Sequence, residues 1–162
     1  GANLALALAE GNRSRVCLLD GDMRKSSLAR LLGIKEGPSL ADQVRLHRRD
    51  PDAPWVALGM GPSFHLIPGT KRDPNPAELL NSEALLDLMD ELRREFDFIV
   101  ITTPPLLDSA DGVILQEHSD GVILAARARV TRQDAMKASL KHLTEGKVLG
   151  TVLVDVPNLP RM

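Results

Sequence analysis

Residues 16–25 read VCLLDGDMRK, an apolar run from Val16 to Leu19 that ends in two carboxylates, Asp20 and Asp22, followed at once by the cations Arg24 and Lys25. A short continuous apolar run without polar alternation is the pattern of a strand buried on both faces, as in parallel sheets covered by helices. Ligands of such sheets lie beyond the carboxyl ends of the strands. Paired acids delivered to that end are placed to hold Mg²⁺ or to orient water. A second stretch, FIVITTPPLLDSAD from Phe98 to Asp111, has the same design and ends in Thr102, Thr103 and the rigid Pro104-Pro105. Together the two predict a nucleotide-handling sheet.

Working outward, helical signals at Asn3 to Glu10 stop at Gly11. Ala2 to Ala9 is apolar on every face, which predicts an interior helix and a missing preceding segment. Ser26 to Leu32 predicts a helix ending at Gly33, with Ser26 or Ser27 as N-cap and its positive end toward Asp20 and Asp22. From Lys35 to Met60 Gly and Pro are scattered around a helix at Leu40 to Leu46, and the RLHRRD run reads as a solvated face. Phe64 to Pro68 predicts a strand, and Asn75-Pro76 a helix start with Asn75 as N-cap. Ser82 caps a longer helix to about Glu95, whose apolar stripe is Leu85, Leu88, Met89, Leu92 and Phe96. Strands at Phe98 to Ile101, Val122 to Ala126 and Val148 to Val154 alternate with helices near Asp111 to Glu117 and Thr131 to Leu143. The pattern is α/β: three layers, a mostly parallel sheet with helices on both faces, in one domain over residues 1–162.

The chain has 162 residues, 43% of them hydrophobic and 26% charged, enough to bury a core. A net charge of -2 gives no bulk attraction to nucleic acid or anionic lipid, so no nucleic-acid partner is expected. The single cysteine, Cys17, sits in the predicted buried strand and reads as a core thiol. No stretch approaches the roughly 20 apolar residues of a membrane span, and no charged region precedes the first apolar run as in a signal peptide. The expected location is the cytosol. His47, His65, His118 and His142 show no metal-ligand spacing and are assigned no role.

Asp20 and Asp22 can coordinate Mg²⁺ directly or through water and position an attacking oxygen for phosphoryl transfer; acids at a strand end can also simply cap the next helix. Arg24 and Lys25 can contact phosphates or a neighbouring subunit's carboxylates, or balance the two acids locally. Thr102 and Thr103 can offer hydroxyls to metal-bound water or phosphate, or be a plain strand exit. Asp108 and Asp111 beyond them can bind water or cap the following helix.

VCLLDGDMRK, IPGTKRDPNPAELLNSE, FDFIVITTPPLLDSADGVIL, GVILAARARVTRQDAMKASLKHL and KVLGTVLVDV occur in the order seen in bacterial tyrosine kinases of polysaccharide export. Over nearly its whole length the chain resembles the cytoplasmic ATPase domain of the capsular-polysaccharide co-polymerase family, within the MinD/ParA group of deviant Walker ATPases. The resemblance implies a P-loop NTPase-like fold truncated at the amino end. ATP and Mg²⁺ would be its cofactors, and Asp20 and Asp22 in a Walker A' motif would bind Mg²⁺ and orient water or hydroxyl. The strand ending in Thr102 would be Walker B, and Arg127 and Thr131 match the pattern after the next strand. Family members phosphorylate tyrosines in their own tails, in trans around a homo-oligomeric ring. This cycling governs capsular or exopolysaccharide length and export, with a membrane activator or chain-length determinant segment at the inner face of the plasma membrane.

Four departures qualify the resemblance. The glycine-rich P-loop is expected just before Gly1, so the isolated segment is expected to be inactive. Thr102 stands where the family carries Asp, there is no tyrosine, and Leu153-Val154-Asp155 replaces a Leu-Asn near the base. Three functions remain in view: an autokinase-like domain, a degenerate scaffold of the same assembly system, and a partition or positioning ATPase of the MinD/ParA type.

Overall fold

The side chains of Val16, Cys17, Leu18 and Leu19 are completely out of water, and the strand they form is the axis of the structure. The computed structural model describes residues 1–25, 28–34, 37–69 and 73–156. The chain divides into two units, residues 1–104 and 105–162. In the first, the order is α1 (Ala2–Ala9), β1 (Val16–Asp20), α2 (Leu28–Leu31), α3 (Leu40–His47), β2 (Leu58–Gly59), β3 (Phe64–Ile67), α4 (Pro76–Leu80), α5 (Glu83–Glu95) and β4 (Phe98–Thr102). In the second it is α6 (Asp111–Glu117), β5 (Val122–Arg127), α7 (Gln133–Leu140) and β6 (Val148–Val154).

The sheet of the first unit has the order β2-β3-β1-β4. β1 runs parallel to β3, with Val16 opposite Phe64 and Leu19 opposite Ile67, and parallel to β4, with Asp20 opposite Thr102. Both edges of β1 are therefore satisfied by backbone pairing, which removes the cost of burying its peptide groups. Alternate side chains go to opposite faces. Val16, Leu18, Phe64 and Leu66 share one core with Ala2, Ala5 and Ala9 of α1. On the other face His65 meets the edge of Phe96 at 5.1 Å, and Ile67 lines a cavity of about 250 Å³ with Leu92 and Trp55. The fold is α/β with a mostly parallel sheet, as its sequence pattern predicts.

Local chemistry explains most element ends. Ser39 Oγ accepts from the Asp42 N–H at 3.2 Å and starts α3; Ser82 Oγ accepts from the Leu85 N–H at 3.3 Å and starts α5, as expected. Ala84, Leu85, Leu88, Met89 and Leu92 form the buried stripe of α5, with Phe96 at its partly buried end. Gly11 takes φ +81° in the turn after α1, a left-handed conformation that costs glycine little.

Several expectations change. α1 fully buries only Ala2, Ala5 and Ala9, which let it approach β1 closely, with Leu8 partly buried against the same core; Leu4 and Leu6 are 40% and 44% exposed. β2, missed among the Gly and Pro residues, is an antiparallel edge of two residues, too short to show alternation. Asn75 precedes α4 but makes no side-chain cap; Pro76 at the first position supplies the start. The expected caps Ser26 and Ser27 lie outside the described residues, and α2 spans Leu28–Leu31. The RLHRRD run is only partly a solvated face: Arg45 pairs with buried Asp73, and His47 stacks on Trp55 at 4.5 Å.

In the second unit β5 and β6 are parallel, with Arg127 opposite Val154, and α7 connects them. α7 starts at Gln133, because Thr131 Oγ1 accepts from the Arg127 N–H at 2.9 Å and closes a turn instead of capping the helix. α6 is entered from Ala110 without a side-chain cap, so neither Asp108 nor Asp111 plays the expected capping role. Gln116 ties α6 to the end of α7, donating to the His142 carbonyl and accepting from the Thr144 N–H.

Truncating Leu88 to Ala in the fully buried stripe should lower unfolding free energy by about 3 kcal/mol in a denaturant titration. Cys17 gives a pH-dependent counterpart. Burial pushes its thiol from 9.0 to about 12, so between those values the unfolded chain holds fewer protons than the native one. Its contribution is complete below pH ~9 and declines above it by up to ~1.4 kcal/mol per pH unit. A Cys17→Ala variant should lack this part of the alkaline loss of stability.

Candidate functional site

The tips of β1 and β4 bring together the two strand ends singled out in the sequence. Asp20 is 2% exposed, and its Oδ1 accepts from Thr102 Oγ1 at 3.0 Å and from the Asp22 N–H at 3.2 Å. The Gly21 N–H donates to the Thr102 carbonyl at 2.9 Å, extending the β1–β4 pairing past the last strand residue. A buried carboxylate is tolerated when hydrogen-bonded in this way. The Thr102 hydroxyl therefore orients Asp20.

Asp22 Oδ1 accepts from the backbone N–H groups of Arg24 and Lys25, both at 2.9 Å. One oxygen of Asp22 thus closes the turn at residues 23–25 and, among the described residues, does not cap the next helix, which begins at Leu28, while the residue keeps part of its surface in solvent. Arg24 and Lys25 are exposed at this turn. Thr103 is exposed, and its hydroxyl donates to the Pro104 carbonyl at 3.0 Å.

The amino end of α1 closes in on the same place. A Cβ on Gly1 would lie 2.2 Å from Thr102 Cγ2, a contact that only glycine permits at this position. The partial positive charge of the helix start therefore faces the carboxyl ends of β1 and β4, where it favours an anionic group. Asp20, Asp22, Thr102 and Thr103 thus lie in the first unit. Arg127 belongs to the second, at the end of β5, where its guanidinium pairs with Asp155.

Two residues without a sequence-assigned role also reach this region. The Asp73 N–H donates to the Met23 carbonyl at 2.8 Å, Asp73 Oδ1 accepts from the Asn75 N–H at 2.8 Å, and Asp73 Oδ2 is paired with Arg45 of α3. Asp73 lies within the IPGTKRDPNPAELLNSE stretch that carries the resemblance, and its position just before Pro74-Asn75-Pro76 was the one signal that could have drawn notice.

The donor set suits Mg²⁺. That ion takes hard oxygen ligands, commonly one or two carboxylates, and completes its octahedron with water and phosphate. Asp20, Asp22 and Thr102 supply two carboxylates and a hydroxyl. Among the described residues no group of three or more His, Cys, Asp or Glu is arranged to hold a metal, so an ion here would depend on a second ligand such as a nucleotide.

Comparison with known proteins gives this chain relatives. No protein-family model matches the chain. It is 32% identical over 157 residues to tyrosine-protein kinase wzc of Salmonella typhimurium, covering 96% of this chain and 21% of that protein. Among solved structures it resembles the kinase domain of VpsO at 29% identity and a TM-score of 0.80, covering 94% of this chain and 74% of that one. The fold also matches a ParA family ATPase from Chlorobium tepidum, with a TM-score of 0.73 at 20% identity over 94% of this chain and 65% of that one. The chain is thus homologous to bacterial tyrosine-protein kinases, and it spans about a fifth of the length of the relatives it matches first.

Replacing Thr102 by Val keeps the shape but removes the donor to Asp20 Oδ1. The expected outcome is a loss of about 2 kcal/mol of stability at neutral pH in denaturant unfolding, as for a hydrogen bond to a charged group.

Proposed function

We propose, starting from the kinship of this chain with bacterial tyrosine-protein kinases, that it forms the MgATP-binding part of a protein-tyrosine autokinase-like domain regulating capsular or exopolysaccharide chain length and export. The observation that carries this reading is the convergence of Asp20, Thr102 and the start of α1 at the strand tips. Mg²⁺, when bound with ATP, supplies charge neutralisation of the phosphates. The chain's own groups do the rest. Asp20 and Asp22 would hold the ion, Asp20 fixed by the Thr102 hydroxyl and Asp22 by its turn. The helix start at Gly1 would face the phosphates, and Arg24 and Lys25, exposed beside Asp22, would contact phosphate or a neighbouring copy's carboxylates. Thr103 would contribute a nucleotide contact.

The chain contains no tyrosine, so an acceptor hydroxyl for phosphoryl transfer to tyrosine would come from a segment outside these residues or from another protein. Work in a homo-oligomeric ring with a membrane activator or chain-length determinant, at the inner face of the plasma membrane, belongs to the same proposal. Among the described residues no helix is long and apolar enough to cross a membrane.

A second reading, a scaffold that keeps the fold without phosphoryl transfer, draws support from Thr102. Its neutral hydroxyl is turned to Asp20 and brings no charge of its own to a metal. Calorimetric titration of MgATP into the full-length gene product, beside its Asp20→Asn and Thr102→Asp variants, separates the two. The active reading expects Mg²⁺-dependent binding that Asp20→Asn weakens at least about tenfold, the scale of losing one charge contact. Absence of binding by the unmodified protein would sink it in favour of the scaffold.

A further inference from the structure

The acidic loop after β1 is held both from the end of β4 and from the segment that precedes α4. On the β4 side Thr102 holds it through the Gly21 N–H and through Asp20 Oδ1. From the segment before α4 the grip is Asp73, whose N–H donates to the carbonyl of Met23, the residue next to Asp22. Met23 is itself completely buried, so this point of the loop is fixed by packing and by a hydrogen bond together.

Asp73 is 4% exposed, and a carboxylate is buried at a net cost unless paired and hydrogen-bonded. Capping the Asn75 turn uses one of its oxygens. The other oxygen and the N–H reach two further elements, the guanidinium of Arg45 on α3 and the loop after β1. Arg45, partly exposed, thus ties α3 to Asp73, and Asp73 ties both to Met23.

We infer that Asp73, held in place by Arg45, is a positioning residue for the loop at residues 20–25. It fixes the backbone at Met23 and with it the direction in which Asp22 presents its carboxylate. For its functional consequence this rests on the reading of that loop as the MgATP site. Groups that orient metal-binding carboxylates tune affinity without touching the ion.

The test uses Asp73→Asn and Arg45→Lys in the full-length protein, with amide hydrogen exchange on residues 21–25, β1 and α5, and with ATP binding measured across a Mg²⁺ titration and in its absence. Asp73→Asn should speed exchange at residues 21–25 tenfold or more and leave β1 and α5 unchanged. It should also raise the Mg²⁺ concentration for half-saturation about tenfold without changing Mg²⁺-free binding. Arg45→Lys, which keeps the charge, should fall between wild type and Asp73→Asn. Unchanged loop exchange, a loosened loop with unaltered Mg²⁺ dependence, or a rise shared equally by loop, β1 and α5 would each overturn the inference. If the wild type binds no MgATP while the loop still responds selectively, the positioning role stands and the nucleotide reading alone falls.

Discussion

Everything in the first unit depends on β1 being paired on both edges and covered on both faces. Parallel neighbours satisfy its peptide groups, and helices shield its side chains, so that Val16 to Leu19 lie in an environment without water. The strand is rigid for that reason. Its carboxyl end is a fixed point in space, and Asp20-Gly21-Asp22 stands on it.

That placement explains how two acids can stand at the end of an apolar strand without unravelling it. Asp20 is kept out of solvent but accepts a hydroxyl and a backbone N–H, and Asp22 spends one oxygen on the next turn. Both carboxylates are oriented by hydrogen bonds from neutral donors. A site built this way offers hard oxygen ligands to an incoming cation while the start of α1 favours an anion nearby. A magnesium nucleotide has both.

The sequence made β1 legible because burial on both faces leaves an uninterrupted apolar run, and it made α5 legible through Ser82 and an apolar stripe. It misjudged α1, whose apolar composition concealed that Leu4 and Leu6 stay exposed while Ala2, Ala5 and Ala9 face the core. It overlooked β2, since a two-residue edge carries no periodicity. At the site, Asp20, Asp22 and Thr102 stood out because they end apolar runs. Asp73 and Arg45 did not, because a charged residue in a polar stretch looks the same whether it faces water or a partner 28 positions away.

Local order along the chain was enough to determine the α/β class, the parallel strands and the acidic strand tip, because hydrophobic period and capping act over a few residues. Tertiary structure alone decided that Thr102 meets Asp20 across 82 positions, that Gly1 abuts Thr102, and that Asp73 is buried against Arg45 and Met23. Those contacts depend on which strands become neighbours and how closely their loops approach, and no short-range pattern encodes that.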